Sequence, residues 1–326
     1  MSASTIAGRS LAGLSRHGLV LALIAVSSIF SAAAPTFLTA ANLESILVNN
    51  FTLLAIVSIA MTLAVAAGGI DLSVGTAVDF SSFAFVSLVL AGQPVALALL
   101  AALLAGALVG AFNAILISAI GVSPFLATLG TLFIGRSVQQ LLTNGGNPVY
   151  LPPNGVPDAF RFIGHGTIAG IPVPLLIVAV VIAVTAVMFS RTRFGRVVMA
   201  IGIQPSVVRY SGIGLGRQVA VTFILAGIIA AIAGIILTST VTVYIPSSGN
   251  AFLLNAIGAT FIGTTFSPLG RPNVAGTVLG VLLLSIVSNG LLLTGLNFYW
   301  QQVGTGSLIF AVLAFSFINR QAVGTA

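Results

Sequence analysis

The chain has 326 residues, 58% hydrophobic and 5% charged, with a mean hydropathy of +1.20 and a formal net charge of +7. Soluble domains carry about 25% charged residues, so a water-soluble globular fold is excluded. The apolar runs are long and unbroken, not alternating over about ten residues as in a membrane β-barrel, which leaves an all-α, polytopic transmembrane bundle. All 11 basic residues are Arg. Without Lys there is no P-loop to grip a nucleotide and no Lys Schiff base. Without Cys there is no disulfide, thiol nucleophile or Cys-bound metal, and His17 and His165 are too few for a His-rich metal site. The expectation is therefore no cofactor, no metal and no enzyme. Nucleic acid is not expected either, because the arginines sit at the ends of apolar runs, where membrane topology accounts for them. No composition shift marks a separate soluble part, so residues 1–326 read as one transmembrane domain surrounded by lipid.

A spanning helix needs about 20 apolar residues, and about ten candidate spans follow in chain order. They run over Gly18–Ala34, Ser45–Ala67, Thr76–Ala91, Pro94–Ile120 and Pro124–Leu142, then Pro172–Phe189, Gln218–Thr238, Ala251–Phe266, Val274–Thr294 and Val303–Phe317. The third and eighth are short, so tilted, broken or partly re-entrant segments are open there. Arg9, Arg16 and the following apolar run up to Ala34 could be a signal peptide; the length of the run favours an uncleaved first helix. With the N-terminus in the cytoplasm, Arg9, Arg16, Arg191, Arg193, Arg196, Arg209, Arg217, Arg271 and Arg320 fall inside and only Arg161 outside, while Arg136 falls in a span. The positive-inside rule thus predicts N-in and C-in. The loop from Thr143 to Gly170, with Pro148, Pro152, Pro153 and Pro157, is long for a connector in a compact bundle. It is either an ordinary connector or a docking surface for an extracytoplasmic partner.

Between the second and third spans, inside an otherwise apolar stretch from about Leu53 to Leu90, stands Gly68-Gly69-Ile70-Asp71-Leu72-Ser73-Val74-Gly75. A charge at bilayer depth costs at least about 2.5 kcal/mol, and irregular backbone there survives only where protein or a wet cavity surrounds it. Gly68, Gly69, Asp71 and Ser73 are therefore candidates for lining a translocation path. Asp71 can instead cap a helix beginning at Leu72, and the two roles are compatible. Asp79 lies two turns further on, on the same broad side of a regular helix, where it can pair with a helix neighbour or bond a Ser or Thr. Arg136 can snorkel to the outer surface or meet a buried carboxylate or a ligand hydroxyl. Asn113, Asn255 and Asn289 are intramembrane amides that serve either as helix–helix glue or as ligand contacts. Gly106–Gly110 and Gly276–Gly280 fit the GxxxG close-packing pattern, a weak signal in a chain with 36 Gly.

From Ser190 to Arg217 the chain reads SRTRFGRVVMAIGIQPSVVRYSGIGLGR. Gln204, Pro205, Ser206, Val207, Val208, Arg209, Tyr210, Ser211 and Gly212 make a compact unit. Pro205 suits the first position of a short helix and Gly212 the left-handed residue after it. Val207, Val208 and Ser211 are expected to share one face, with Arg209 on another. The unit is either a lever that a soluble partner pushes or a charged turn that fixes topology.

Several stretches together resemble one family. GGIDLSVG, the FGRVVMAIGIQPSVVRYSGI loop, FLATLG near Phe125, AIGA at Ala256–Ala259, Arg271–Gly280 with Ser288-Asn289-Gly290-Leu291, and the closing Tyr299-Trp300-Gln301-Gln302 occur in order. They are similar to the motifs of permease subunits of sugar-importing ABC transporters of the monosaccharide type. Gln204 stands where that family usually has Asn, and Val207-Val208 where it has Ala-Ala. Leu253 and Asn255 replace an acidic pair. The resemblance implies cytoplasmic ATP-binding subunits docking on the 190–217 loop, an extracytoplasmic solute-binding protein, and a second permease copy, identical or not, in a bacterial cytoplasmic (inner) membrane. The competing reading is a self-sufficient secondary transporter that uses Asp71 or Asp79 as its ion-coupling carboxylate.

Overall fold

The computed structural model describes residues 3–267 and 269–324, with side chains from Gly18 onward except 298, 313 and 315–324. The side chains of Arg9, Arg16 and Arg320, which carry part of the charge bias, lie outside that set. Helices occupy the predicted apolar runs. In chain order they are α1 (Ala3–Ala33), α2 (Ala40–Ser45), a π-helical stretch Ile46–Phe51, α3 (Thr52–Ala66), α4 (Val74–Leu90), α5 (Val95–Ala114) with a π-helical end Ile115–Ile120, and α6 (Pro124–Leu142). After the 143–170 loop come α8 (Val173–Arg191), α9 (Arg193–Ile203), α10 (Pro205–Tyr210), α11 (Leu215–Val241), α12 (Asn250–Thr264), α13 (Val274–Leu293) and α14 (Phe298–Gly324). Among the described residues, five stretches are long and apolar enough to cross a membrane: Ala40–Ala66, Val95–Ile120, Val173–Arg191, Leu215–Val241 and Val274–Leu293. Gly18–Ala33, Val74–Leu90 and Asn250–Thr264 are apolar but shorter. The shortness expected of the third and eighth runs thus holds, since α4 has 17 residues and α12 has 15.

The chain forms two compact units, one of residues 1–58 with 255–326 and the other of residues 59–254. In the first, α13 packs with α1 and α14. Gly290 gives way to the ring of Phe30, and Gly276 and Gly280 bring α13 onto the backbone of α12 at Gly263 and Ala259. Asn42 and Asn289 exchange two amide hydrogen bonds of 3.0 Å each.

The second unit is built on α4, α5 and α11. Gly106 and Gly110 of α5 lie against the carbonyls of Gly227 and Phe223 of α11, so close that a Cβ at either glycine would collide with them. Both GxxxG pairs are therefore real close-packing sites. Ser81 and Ser82 of α4 donate to the carbonyls of Ala231 and Gly234 at 3.2 and 3.1 Å, and this satisfies polar groups that lipid could not.

The loop after α6 is folded, not slack. β1 (Val149–Tyr150) pairs antiparallel with β4 (Val243–Tyr244), α7 (Asp158–His165) follows, and β2 (Thr167–Ile168) pairs with β3 (Ile171–Pro172). Phe160 of α7 is fully buried and stacks on Phe85 of α4 at 4.8 Å between ring centres. Tyr244 meets Phe83 edge-on at 5.3 Å. Phe160→Ala removes the keystone of this cluster. It is expected to lower the detergent melting temperature by the equivalent of about 3–5 kcal/mol, the usual cost of truncating a buried Phe. An unchanged melting temperature would mean that the loop is not packed as described.

Candidate functional site

The irregular stretch between α3 and α4 is held by polar side chains of two other helices. Gly68 takes a left-handed φ of +84°, which only glycine adopts without strain, and turns the chain out of α3. Gly69 leaves room for Pro124, whose Cβ would stand 2.6 Å from a Cβ at Gly69. Thr128 of α6 donates its hydroxyl toward the Ile70 carbonyl at 3.1 Å and accepts the Leu72 amide at 3.1 Å. α4 begins at Val74 and not at Leu72 as the sequence suggested. Asp71, 2% exposed, accepts through Oδ1 from the Ser73 amide at 2.8 Å and the Ser73 hydroxyl at 2.6 Å. It therefore ties the turn just before α4; the N-cap position itself is Ser73, and no side chain caps the first turn there.

The same bonds continue outward. The Ser73 hydroxyl accepts from Asn113 Nδ2 of α5 at 2.6 Å, and Asn113 Oδ1 accepts from the Thr131 hydroxyl of α6 at 2.6 Å. Every donor in this row points toward the Asp71 carboxylate, so each bond polarises the next. Ser73, Asn113 and Thr131 are all buried. Asn113 acts as helix–helix glue, one of the two roles open to it.

Asp79 does the same task for another helix. It is fully buried, and its Oδ1 accepts from the Gly249 amide at 2.7 Å and the Ser248 hydroxyl at 3.1 Å. Those groups lie at the start of α12. The Ser expected as a partner is thus present, 169 positions away. Gly75 and Gly249 meet backbone to backbone, so α4 and α12 begin side by side. Gln139 of α6 fastens the same turn, its Oε1 accepting from the Ser247 amide at 2.7 Å and the Tyr244 hydroxyl at 3.2 Å. Asp71 and Asp79 do not share a helix face, because the chain is not helical until Val74.

The remaining candidates stand apart. Arg136 is exposed on α6. Asn255 and Asn289 belong to the other compact unit; Asn255 is half-buried on α12, and Asn289 is the partner of Asn42. An apolar hollow of about 400 Å³ opens between α4, α5 and α6, lined by Phe80, Phe83, Leu108, Phe112, Ile134 and Thr131. With Leu108 and Ile134 more than half exposed and one hydroxyl among these residues, it suits acyl chains better than a polar solute.

In the 190–217 loop, Pro205 opens α10 at the first helical position and Gly212 takes φ +74°, both as expected. The shared face is not as expected. Val207 is 57% exposed and Tyr210 90%, whereas Val208 is 3% exposed and packs with Ala64, Ile201, Val219 and Phe223. Adjacent helical residues point about 100° apart, and α10 lies down on α3, α9 and α11 through Val208 alone. A buried contact therefore exists where the sequence suggested a solvent-facing one.

Residues 42–313 match the family described as branched-chain amino acid transport system, permease component. The chain belongs to this family. It is similar to the ribose import permease protein RbsC of Escherichia coli (strain K12), 32% identical over 306 residues covering 93% of this chain and 95% of that protein. RbsC of Bacillus subtilis (strain 168) is 33% identical over 296 residues, 91% of each chain. The D-allose transport system permease protein AlsC of Escherichia coli (strain K12) is 31% identical over 303 residues, 92% of this chain and 90% of its own. No solved structure gives a significant match. These relatives are transport proteins, and the permease is an integral membrane protein.

Sequence reasoning about this permease missed Thr128, Thr131, Gln139, Tyr244, Ser248 and Gly249. Their common signal is a polar group or glycine within or beside an apolar run, a signal that singles out no partner. Asp71→Asn keeps an acceptor for Ser73 and is expected to stay near wild type in melting temperature and solute uptake. Asp71→Leu is expected to lose about 0.5–2 kcal/mol, as when a cap is removed. A stable but inactive Asn variant would show that the charge itself is used in transport.

Proposed function

We propose that the chain is the membrane-spanning permease subunit of an ABC-type importer that carries a monosaccharide or similar small polyol into the cytoplasm. The observation that carries this reading is similarity over more than nine-tenths of the chain to import permeases for ribose and D-allose. The chain holds no Lys for a P-loop, so nucleotide chemistry comes from separate cytoplasmic ATP-binding subunits. An extracytoplasmic solute-binding protein delivers the sugar, and a second permease copy completes the pathway. About ten spans with both termini in the cytoplasm follow from the apolar runs and the arginine bias. That topology puts α9 and α10 inside and the folded 143–170 loop outside. The exposed Tyr150, Phe162 and Ile168 then face the binding protein.

In this reading the ATP-binding subunits grip α10 by its exposed residues, Gln204, Pro205, Ser206, Val207, Arg209 and Tyr210, with Ser211 and Gly212 ending the contact. ATP binding draws them together and moves α10, and the permease pair opens alternately to each side. The path runs beside the interrupted segment, Gly68, Gly69, Asp71 and Ser73. Both carboxylates proposed for ion coupling are engaged by backbone amides of the turns that precede α4 and α12, which favours this reading over a secondary transporter.

Purified permease reconstituted in liposomes is expected to accumulate sugar only with the ATP-binding subunits, the binding protein and ATP. Uptake driven by a proton or sodium gradient alone would overturn the reading. Val207→Asp and Tyr210→Ala are expected to leave the permease melting temperature unchanged and to abolish copurification of the ATP-binding subunits. Val208→Asp instead buries a charge and is expected to destabilise the permease itself by several kcal/mol. Normal transport by the Val207 and Tyr210 variants would reduce α10 to a turn.

A further inference from the structure

Gly202, near the end of α9 (Arg193–Ile203), makes a contact that the packing of α9 alone does not require. A Cβ there would collide with the carbonyl oxygen of Ala66, the last residue of α3, and would stand 3.2 Å from the Gly68 amide nitrogen. In return, a Cβ on Gly68 would lie 3.3 Å from the Gly202 Cα. Two main chains from distant parts of the sequence thus touch with no side chain between them. We infer that Gly202 is a positioning residue for transport, pressing the motion of α9 and α10 directly onto the Ala66–Gly68 turn and through it onto the Asp71–Ser73 entry to α4. The inference rests on the permease–ATPase reading above.

Three features make the contact a relay and not mere packing. First, α9 and α10 form one body: Val208 and Ile201 share the cluster with Ala64, Val219 and Phe223, and the Gln204 amide donates to the Ala200 carbonyl at 2.9 Å. A push on the exposed face of α10 therefore reaches α9. Second, backbone against backbone has no rotamer to absorb a shift, whereas a side-chain contact would yield by changing its torsions. Third, the receiving turn is tied at every step. Gly69 abuts Pro124, Ile70 and Leu72 both bond Thr128, and Asp71 leads through Ser73 and Asn113 to Thr131. A displacement at Ala66–Gly68 has no slack segment in which to dissipate before it reaches α4, α5 and α6.

The test uses the full complex of permease, ATP-binding subunits and binding protein in liposomes, reading sugar imported per ATP hydrolysed. Gly202→Ala is expected to keep the ATP-binding subunits bound and hydrolysing while import per ATP falls about tenfold, a coupling loss of ordinary size. Val198→Ala is the control: Val198 is fully buried in α9, so truncation lowers the melting temperature without adding an atom at the Ala66–Gly68 contact. It is expected to leave import per ATP unchanged. If both variants lower import per ATP alike, or neither does, Gly202 is only a packing residue and the inference fails. Should Gly202→Ala not accumulate, Ile201→Ala loosens the buried joint between α9 and α10 instead, because Ile201 shares the cluster with Val208. With the ATP-binding subunits still bound, import per ATP must then fall, and an unchanged ratio overturns the inference. A wild-type permease that binds no ATP-binding subunit would instead overturn the functional reading, and the inference with it.

Discussion

A helix that starts within a bilayer exposes amide groups that no water can satisfy, and the second compact unit is organised around that constraint. α4 and α12 are both short, and both begin beside each other at Gly75 and Gly249. The turn that leads into each start is held by a carboxylate. Asp71 takes the Ser73 amide and Asp79 takes the Gly249 amide. Leaving such a buried donor unmet costs about 1–3 kcal/mol, which is comparable to the cost of bringing the carboxylate in. Each carboxylate and the turn it holds therefore offset part of one another's cost; for Asp79 the offset comes through Oδ1, while Oδ2 is buried with no hydrogen-bond partner.

Around that constraint the rest of the unit is fitted by close backbone approach. Glycines on α5 and α11 let the two long helices meet at their carbonyls, and this holds the α4 face where Ser81 and Ser82 reach α11. Side chains from α6 complete the frame at two levels, Thr128 and Thr131 toward the Asp71 turn and Gln139 toward the turn that precedes α12. α6 is less apolar than its neighbours because its polar residues have these partners to serve.

For a permease, the arrangement separates rigid from responsive parts. The 143–170 loop is locked by Phe160 on Phe85 and by the β1–β4 pairing. On the other side of the unit, α10 presents most of its residues to solvent and anchors itself through one valine. A short helix with most of its residues exposed offers a partner a grip, and its one buried side chain and its neighbour α9 connect that grip to the helices behind it.

Much of this could be read from the chain alone. Hydropathy placed the helices, because a run of apolar residues in lipid has no alternative to internal hydrogen bonding. Pro205 and Gly212 marked the ends of α10, because ring closure and the missing Cβ act on local backbone geometry. Gly68, Asp71 and Asp79 announced themselves as costly residues at depth. What the sequence left open was each residue's counterpart. That Asp79 holds Gly249, that Asn113 bridges Ser73 to Thr131, and that Val208 turns inward while Val207 turns out depend on which helices lie side by side. Periodicity gives the face of one helix, but which face is buried is decided by neighbours that may be over a hundred residues away.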